Sequence, residues 1–261
     1  MMKIFAISDM HSFLAPTLKA LKEAGWDENN PEHIIVVCGD AFDRGNETAE
    51  MLEWLLDLIN KGKLIYVKGN HDILMQKMLD RGYAEWHDKH NGTQKSYYQI
   101  LNAYSNMMDG RKPDDIVRAA LQPLYDKMVN YFETQKFVFC HSWVAIGIED
   151  NMPYHYRKGR RLVKKEDWRN GTDEEWSNAM WVNPLDMAMD GFGIEKPIIA
   201  GHWHSSYGWA IKNKTFDDFG KDAIFDPFYY EDKLIMIDRC VAHTGEINCL
   251  IIEDEFIDGK S

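Results

Sequence analysis

Carboxylate, imidazole and amide side chains recur in this sequence directly after runs of apolar residues that are typical of strands. Such side chains suit transition-metal dications such as Mn²⁺, Fe²⁺ or Zn²⁺ better than Ca²⁺ or Mg²⁺. Two such ions bound side by side can clamp both oxygens of a displacement at phosphorus, and water between them becomes hydroxide near neutral pH. The motif groups are Asp9 and His11; Asp40, Asp43 and Arg44; Asn70 and His71; His141; and His202 and His204.

The second motif group occupies residues 39–45, Gly-Asp-Ala-Phe-Asp-Arg-Gly, and follows an apolar run at 34–38. Open α/β sheets hold their ligands at this place, beyond the carboxyl end of a strand. Taken alone, Asp40 and Asp43 could merely shape a turn, with Arg44 paired to one of them. Each of the other groups also has a structural explanation by itself. A whole set of such groups at successive strand ends is much harder to attribute to packing, so together they indicate a site.

Strands and helices must alternate along the first part of the chain to bring these groups together. Strands predicted at 3–8, 34–38 and 63–68, with helices between them, indicate βαβ units and a mainly parallel sheet. Because strand ends of one sheet converge, the groups are expected to share one edge. Asp9 and His11 lie two residues apart, so on extended backbone both can reach one metal ion. Further strands are predicted at 137–140, 198–200, 223–225, 234–237 and 248–252, the last three antiparallel.

Two polar segments interrupt this alternation, and we predict a single domain of residues 1–261 with caps inserted at about 81–133 and 150–195. Helical spacing in the first cap predicts helices at about 95–105 and 114–132. A basic cluster in the second cap is typical of a solvated loop. The alternative is that Arg157, Arg160 or Arg161 grips a second phosphate. The cluster consists of Arg157, Lys158, Arg160 and Arg161, with Lys164 and Lys165.

Composition and charge exclude several classes of protein. The 261 residues are 45% hydrophobic and 28% charged, as in a globular protein. The net charge of −12 argues against a nucleic-acid partner, because phosphate-backbone binding needs excess positive charge. No apolar run approaches the roughly 20 residues of a membrane span, and the N-terminus is too short in apolar residues for a signal peptide. We therefore expect a cytoplasmic protein with no membrane partner, whose four cysteines, lacking a C-x-x-C pair, are free thiols.

The motifs D-x-H, G-D-x-x-D-R-G, G-N-H-D, a strand-end His and G-H-x-H, in this order, resemble the calcineurin-like metallophosphoesterase superfamily. The D-R-G ending resembles its phosphoprotein-phosphatase (serine/threonine phosphatase) branch, including bacterial and phage members. The chain departs from that branch at Ser8 and Ser12, where glycines are usual, and at Ser142, where the branch has H-G-G. The resemblance implies an α/β fold (an α+β sandwich) with two central mixed sheets flanked by helices and helical cap insertions.

The resemblance also implies a role for each motif residue. His71 would protonate the leaving oxygen, with Asp43 orienting it, while Arg44 and Asn70 bind the substrate phosphate. Asp40 would bridge two divalent metal ions, with manganese expected and iron, zinc or nickel as alternatives. The first ion would be held by Asp9, His11, Asp40 and His204, and the second by Asp40, Asn70, His141 and His202.

The implied function is a dinuclear-metal-dependent phosphomonoesterase that attacks with a metal-bound hydroxide. Its substrate would be a phosphorylated protein, at phosphoserine or phosphothreonine, or a small phosphorylated molecule. Relatives with the same D-R-G motif hydrolyse dinucleoside polyphosphates, so a diadenosine-tetraphosphatase-like activity is the alternative. The acidic charge and Arg44 argue against a nuclease among the phosphodiesterases. A non-catalytic scaffold would be expected to lose metal ligands, whereas every ligand position here is filled.

Overall fold

The computed structural model describes residues 1–107, 110–149, 162–215 and 217–256, in which two five-stranded sheets form the centre. A separate pair of strands, β7 and β8, forms a small antiparallel ribbon. The strands are β1 (Met2–Ile7), β2 (His33–Cys38), β3 (Leu64–Val67), β4 (Met128–Val129), β5 (Phe132–Glu133), β6 (Val138–Cys140), β7 (Ile146–Ile148), β8 (Leu162–Lys164), β9 (Ile198–His204), β10 (Phe228–Tyr230), β11 (Leu234–Asp238) and β12 (Leu250–Asp254).

Both five-stranded sheets are mixed, which confirms the predicted fold class. The first has the order β12-β1-β2-β3-β4, with β1 to β4 parallel and β12 antiparallel to β1. The second has the order β10-β11-β9-β6-β5, with β6, β9 and β11 parallel. Its outer strands, β10 and β5, are antiparallel to their neighbours. The strand predicted at 234–237 is therefore antiparallel to β10 but parallel to β9.

Helices flank the two sheets and occupy much of the described part of the two predicted insertions. Short 3₁₀ turns at Ser105–Met107 and Trp168–Asn170 supplement them. The α-helices are α1 (Leu14–Glu23), α2 (Thr48–Asn60), α3 (Asn70–Arg81), α4 (Trp86–Asn91), α5 (Thr93–Tyr104), α6 (Pro113–Tyr125), α7 (Asp173–Ala179), α8 (Pro184–Met189), α9 (Ser205–Asn213) and α10 (Val241–Thr244).

The strands are apolar on both faces because both faces of each sheet are covered. In β1 and β2 alternate residues point to opposite sides. Ile4 and Val36 pack toward the second sheet, where they share a buried cluster with Ile199. Phe5 and Val37 belong to a different buried cluster, with the apolar residues of α1 and α2. This two-sided burial explains the continuous apolar runs that made these strands recognisable in the sequence.

Three elements differ by more than two residues from the sequence predictions. β9 continues through His204 instead of ending at residue 200, because it keeps pairing with β11 across an irregularity in register. α6 ends at Tyr125 instead of 132, because the following residues form β4, which pairs with β3 at the edge of the first sheet. No strand forms at 223–225 in the described chain; the last hairpin begins at β10 instead.

The two predicted insertions differ in how much of each the structure describes. Helices α4, α5 and α6 lie within 81–133, whose last residues form β4 and β5. Residues 150–161, including Arg157, Lys158, Arg160 and Arg161, lie outside the described residues. Lys165 is described and pairs with Glu175 at 2.8 Å. The division into one domain with two caps stays a prediction.

Two further sequence expectations concern membranes and thiols. None of the helices in the part of the chain that the structure describes has the length and apolarity needed to cross a lipid bilayer. All four cysteines are free, as predicted, with Cys38 and Cys140 buried and Cys240 and Cys249 half-buried.

Candidate metal centre

The motif groups, apart from His204, lie together at the carboxyl ends of β1, β2, β3 and β6, beside the irregular part of β9. Backbone hydrogen bonds join the loops to one another. The N–H of Asp9 donates to the carbonyl of Gly39 at 3.1 Å, and the N–H of Gly201 donates to the carbonyl of His141 at 2.8 Å. The first bond ties together two loops of the first sheet, and the second ties β9 to the loop after β6. The backbone N–H of His202, in β9, donates to Asp9 Oδ2 at 2.8 Å, so the loops of the two sheets meet at one buried site.

The backbone at this site adopts conformations that non-glycine residues rarely take. The φ angles of Asp40, Asp43 and His202 are +58°, +76° and +65°. Each such residue costs on the order of 1–3 kcal/mol, and such strain is concentrated at functional sites. Gly69 has the complementary role, because a Cβ at that position would collide with the carboxylate of Asp40. The chain therefore stores strain here and keeps room for a carboxylate.

Two triads of side chains at the site could each hold a metal ion. One contains His11, Asp40 and His71, and the other contains Asp40, His141 and His202. Within each triad, one ligand atom per residue lies within 4.8 Å of the others. Asp40 belongs to both triads, so its carboxylate occupies the position that a bridging ligand would take.

Two of the imidazoles are oriented by the backbone. His11 Nδ1 lies 2.8 Å from the carbonyl oxygen of Phe42, and His141 Nδ1 lies 2.8 Å from that of Cys38. A carbonyl can only accept, so each Nδ1 carries a hydrogen, and Nε2 is the nitrogen left for a ligand. This arrangement, with the outer nitrogen donating to a carbonyl, is typical of metal-binding histidines.

The side-chain atoms of His141, Asn70 and Asp40 that face one another at the site are predominantly hydrogen-bond acceptors. His141 Nε2 lies 2.7 Å from Asn70 Oδ1 and 3.5 Å from Asp40 Oδ2. In a neutral ring of His141 with its hydrogen on Nδ1, all three of these atoms are acceptors that face one another. The other oxygen of Asp40 accepts the backbone N–H of His71 at 3.0 Å. A divalent cation satisfies such a set of acceptors, so the residues fit the metal centre that the motifs predict.

The charge states also fit metal binding. Burial lowers the pKa of His11 well below its usual value and that of His202 to about 3, so both imidazoles are neutral near pH 7. Burial would raise the pKa of Asp40, but the surrounding imidazoles, led by His141, hold it well below its usual value. Burial raises the pKa of Asp9 to about 6, against the opposing effect of His141. A bound cation would favour the ionised form of this second carboxylate.

His71 is held differently from the other imidazoles. Its Nδ1 lies 2.7 Å from Asp43 Oδ2, and its Nε2 lies 3.9 Å from Asp40 Oδ2. Burial opposes the charged form, but the charge of Asp40 and the hydrogen bond to Asp43 raise the pKa of His71 above its ordinary value. A protonated imidazole cannot bind a metal ion. The environment of His71 therefore favours a proton donor, although its position would also allow a ligand.

Arg44 brings a positive charge to the solvent side of this pair. Its side chain is exposed, and its backbone is left-handed with φ +57°. Its charge contributes to lowering the pKa of His11, after the larger effect of burial. The guanidinium is thus close enough to act on the site and open enough to meet an incoming anion.

His204 does not join the group in this structure. Its Nδ1 lies 2.8 Å from Ser206 Oγ, and its Nε2 lies 3.4 Å from Asp218 Oδ2. Its ring packs against Phe219, with 4.4 Å between the centroids. The pairing of β9 with β11 shifts register between Ala200 and His204. The role of His204 as a ligand of the first metal ion therefore stays a prediction that this geometry does not favour.

The structure adds residues that the sequence reasoning missed. Asp72 accepts the N–H of Gly69 at 2.8 Å and the hydroxyl of Tyr66 at 3.1 Å. The hydroxyl of Tyr66 in turn accepts the N–H of Ala41 at 3.0 Å, so it links two motif loops. Asp238, at the end of β11, is buried, and its pKa is raised well above the usual value by burial and then by Asp9. Asp238 follows an apolar run, as the motif groups do, so the same sequence pattern could have identified it.

The family assignment follows from comparison with known sequences. The sequence model described as calcineurin-like phosphoesterase matches residues 2–222, and the chain belongs to this family. The predicted resemblance is confirmed, and the protein is a hydrolase that acts on phosphate esters. The family depends on a dinuclear metal centre, for which the residues described above are candidates.

Two curated relatives are similar over parts of the chain. An uncharacterized protein from Schizosaccharomyces pombe is 28% identical over 108 residues, which are 36% of this chain and 30% of that protein. An asymmetrical bis(5'-nucleosyl)-tetraphosphatase, PrpE, from Anoxybacillus flavithermus is 25% identical over 202 residues, 64% of this chain and 81% of that protein. The chain thus spans less than a third of the first relative and most of the second.

A solved structure shares the fold. A mutant of a cold-active protein tyrosine phosphatase superposes with a TM-score of 0.54 at 16% sequence identity. The superposition covers 97% of this chain and 76% of the phosphatase. At this identity the likeness supports the fold alone.

Proposed function

We propose that this protein is a phosphomonoesterase that acts on phosphoserine, phosphothreonine or small phosphorylated molecules. The observation that supports this choice is the buried pair of His71 and Asp43, with 2.7 Å between Nδ1 and Oδ2. An alkoxide leaving group needs a proton as the P–O bond breaks, and an imidazole held by a carboxylate can supply it. The leaving group of a phosphate anhydride is much more stable and needs this proton less.

The proposed ligands are six of the motif residues, whose nitrogen and oxygen donors suit a divalent cation. We assign Asp40 as the bridge, with Asp9 and His11 on one side and His141 and His202 on the other, and Asn70 beside His141. Two divalent cations bound there, for which we propose manganese, would lower the pKa of a bound water and neutralise charge on the phosphoryl group. The mixed nitrogen and oxygen donors suit manganese, iron or zinc.

The remaining residues act on the substrate itself. Arg44 is exposed and carries the planar fork that binds two phosphate oxygens at once. Asn70 begins α3, so that its amide lies next to the helix amino terminus, which favours an anion. His71 donates its proton from Nε2 to the leaving oxygen, while Asp43 holds Nδ1 and fixes the direction of the ring.

The second candidate is hydrolysis of a dinucleoside polyphosphate. It is supported by the similarity to the tetraphosphatase from Anoxybacillus flavithermus, which extends over 64% of this chain. The same residues would serve both reactions, so only a comparison of substrates distinguishes the two candidate functions.

Turnover of four substrates with Mn²⁺ tests the proposal: a phosphoserine peptide, diadenosine tetraphosphate, p-nitrophenyl phosphate and bis-p-nitrophenyl phosphate. We expect hydrolysis of the peptide and of p-nitrophenyl phosphate, and loss of both activities with a chelator and in the variant Asp40→Asn. A kcat/KM for diadenosine tetraphosphate well above that for the peptide would favour the second candidate. Hydrolysis of the diester alone would overturn the phosphomonoesterase.

A further inference from the structure

Helix α5 lies in the first insertion, outside all the motif groups, yet it contacts the loop at 39–45 directly. The hydroxyl of Thr93 donates to Asp43 Oδ2 at 2.6 Å, and the backbone N–H of Asp43 donates to Ser96 Oγ at 2.9 Å. Lys95 Nζ donates to the carbonyl of Arg44 at 2.9 Å. One helix of the insertion thus binds both the side chain and the backbone of this loop.

The loop needs such support because its conformation is strained. Asp43 and Arg44 both have left-handed backbone, with φ +76° and +57°. Residues held in this region persist only where the surroundings fix them. Gly92, immediately before α5, allows the close approach, because a Cβ there would collide with the backbone nitrogen of Arg44. The amino-terminal end of α5 therefore lies directly on the strained residues.

Within these contacts, Thr93 has a distinct function. Asp43 Oδ2 accepts two hydrogen bonds, one from His71 Nδ1 at 2.7 Å and one from Thr93 at 2.6 Å. Asp43 Oδ1 is buried and has no hydrogen-bond partner among the described residues. Both donors thus favour one rotation of the carboxylate, the one that aims Oδ2 at His71. Thr93 and Ser96 are themselves fully buried, so water does not replace their hydroxyls.

We propose that Thr93 is a positioning residue for the Asp43–His71 pair, and that the first insertion is thereby part of the catalytic apparatus. This inference rests on the proposed function, in which His71 supplies the proton to the leaving oxygen. Without the hydroxyl of Thr93, one of the two restraints on the Asp43 carboxylate is lost, and the imidazole is held less well in its donating direction.

The variant Thr93→Val removes the hydroxyl and keeps the shape, while Thr93→Ser keeps the hydroxyl. The kcat of each is measured on a phosphoserine peptide, which leaves as an alkoxide, and on p-nitrophenyl phosphate, whose leaving group needs little protonation. We expect Thr93→Val to lower kcat on the peptide by about tenfold, the value of one hydrogen bond of about 1.4 kcal/mol. We expect a change below about twofold on p-nitrophenyl phosphate, and near wild-type rates for Thr93→Ser on both.

Ser96→Ala is the matched control on the same helix. It removes the partner of the Asp43 backbone and leaves the contact with the carboxylate, so it should not change the ratio of the two rates. A purely structural role of Thr93 would lower both rates equally, and an unchanged ratio in Thr93→Val would overturn the inference. Thr93→Ala replaces Thr93→Val if the latter fails to fold.

A crystal structure of the same variant gives a readout that needs no turnover. A carboxylate of Asp43 that has rotated away from His71 Nδ1 supports the inference. A carboxylate that keeps the His71 hydrogen bond at its wild-type length overturns it. If the wild-type protein hydrolysed neither substrate, the proposed function would fail, and the crystal structure would still decide whether Thr93 positions Asp43.

Discussion

Replacing Asp43 with asparagine isolates the charge of the carboxylate that holds His71. The side chain is buried, and Oδ2 receives hydrogen bonds from His71 at 2.7 Å and from Thr93 at 2.6 Å. Only the amide oxygen can accept these two bonds, so the asparagine must place its NH₂ at the buried Oδ1 position. The hydrogen bonds are then kept, and the negative charge is lost.

The size of the effect follows from the loss of that charge. A hydrogen bond to a charged group contributes about 1.5–3 kcal/mol, and one between neutral groups about 0.5–1.5 kcal/mol. The imidazolium of His71 therefore loses about 1.4 kcal/mol of stabilisation. On a substrate that needs this proton, kcat is about tenfold lower at pH values above the pKa of His71. The unsatisfied NH₂ adds about 1–3 kcal/mol of destabilisation to the fold.

The assay is the pH dependence of kcat on a phosphoserine peptide and on p-nitrophenyl phosphate. The charges of Asp40 and Asp43 raise the pKa of His71 against the effect of burial, so the wild type keeps the acid form to higher pH. Activity on the peptide is full below this pKa and is lost as the pH rises through it. Asp43→Asn should therefore move the basic limb of the profile to lower pH. On p-nitrophenyl phosphate the change in kcat should stay below about threefold.

The same substitution in a His71→Asn background is the control. If Asp43 acts through His71, the second substitution has little further effect there. Full additivity of the two losses would refute the coupling of the pair. An unchanged pH profile in Asp43→Asn would refute the proton-donor role, and equal losses on both substrates would point to distortion of the loop.

Two further predictions concern Arg44, which is proposed to bind the substrate phosphate, and a buried ion pair. Arg44→Ala should lower kcat/KM for the peptide by about 10²-fold, and Arg44→Lys should restore only part of it, because lysine lacks the bidentate fork. Glu133 is buried and binds Arg169 at 2.7 Å and Lys196 at 2.8 Å. These hydrogen bonds, led by that from Arg169, lower the pKa of Glu133 to about 2. The ionised Glu133 therefore stabilises the folded protein near neutral pH, and this contribution is lost as the pH falls toward that value. Glu133→Gln should lower the free energy of unfolding by about 2 kcal/mol at pH 7 in urea denaturation, with the difference shrinking below about pH 4 and kcat unchanged.

The strand ends that carry the site could be predicted because their signals are local. The run of residues before Asp40 is apolar throughout, since β2 is buried on both faces. The same holds for the run before His141. Polar residues that end such runs are exposed to a ligand by the topology of the sheet, whatever the details of the loops.

The rest of the site depends on contacts that sequence alone does not show. Thr93 reaches Asp43 across 50 positions of the chain, from a helix with no motif of its own. The left-handed backbone of Asp40 and Asp43 is imposed by the packed loops, and an aspartate in the sequence does not by itself specify it. The continuation of β9 through His204 depends on pairing with β11, so the direction of that imidazole could not be read from the G-H-x-H spacing.

Anomalous diffraction from crystals grown with Mn²⁺ tests the central claim most directly, since it locates each bound ion without reference to a substrate. We predict two manganese peaks about 3.5–4 Å apart, with the carboxylate of Asp40 in contact with both. His141 and His202 should contact one of them and His11 the other. A single peak, or two peaks of which neither contacts Asp40, would contradict the dinuclear centre proposed for this protein.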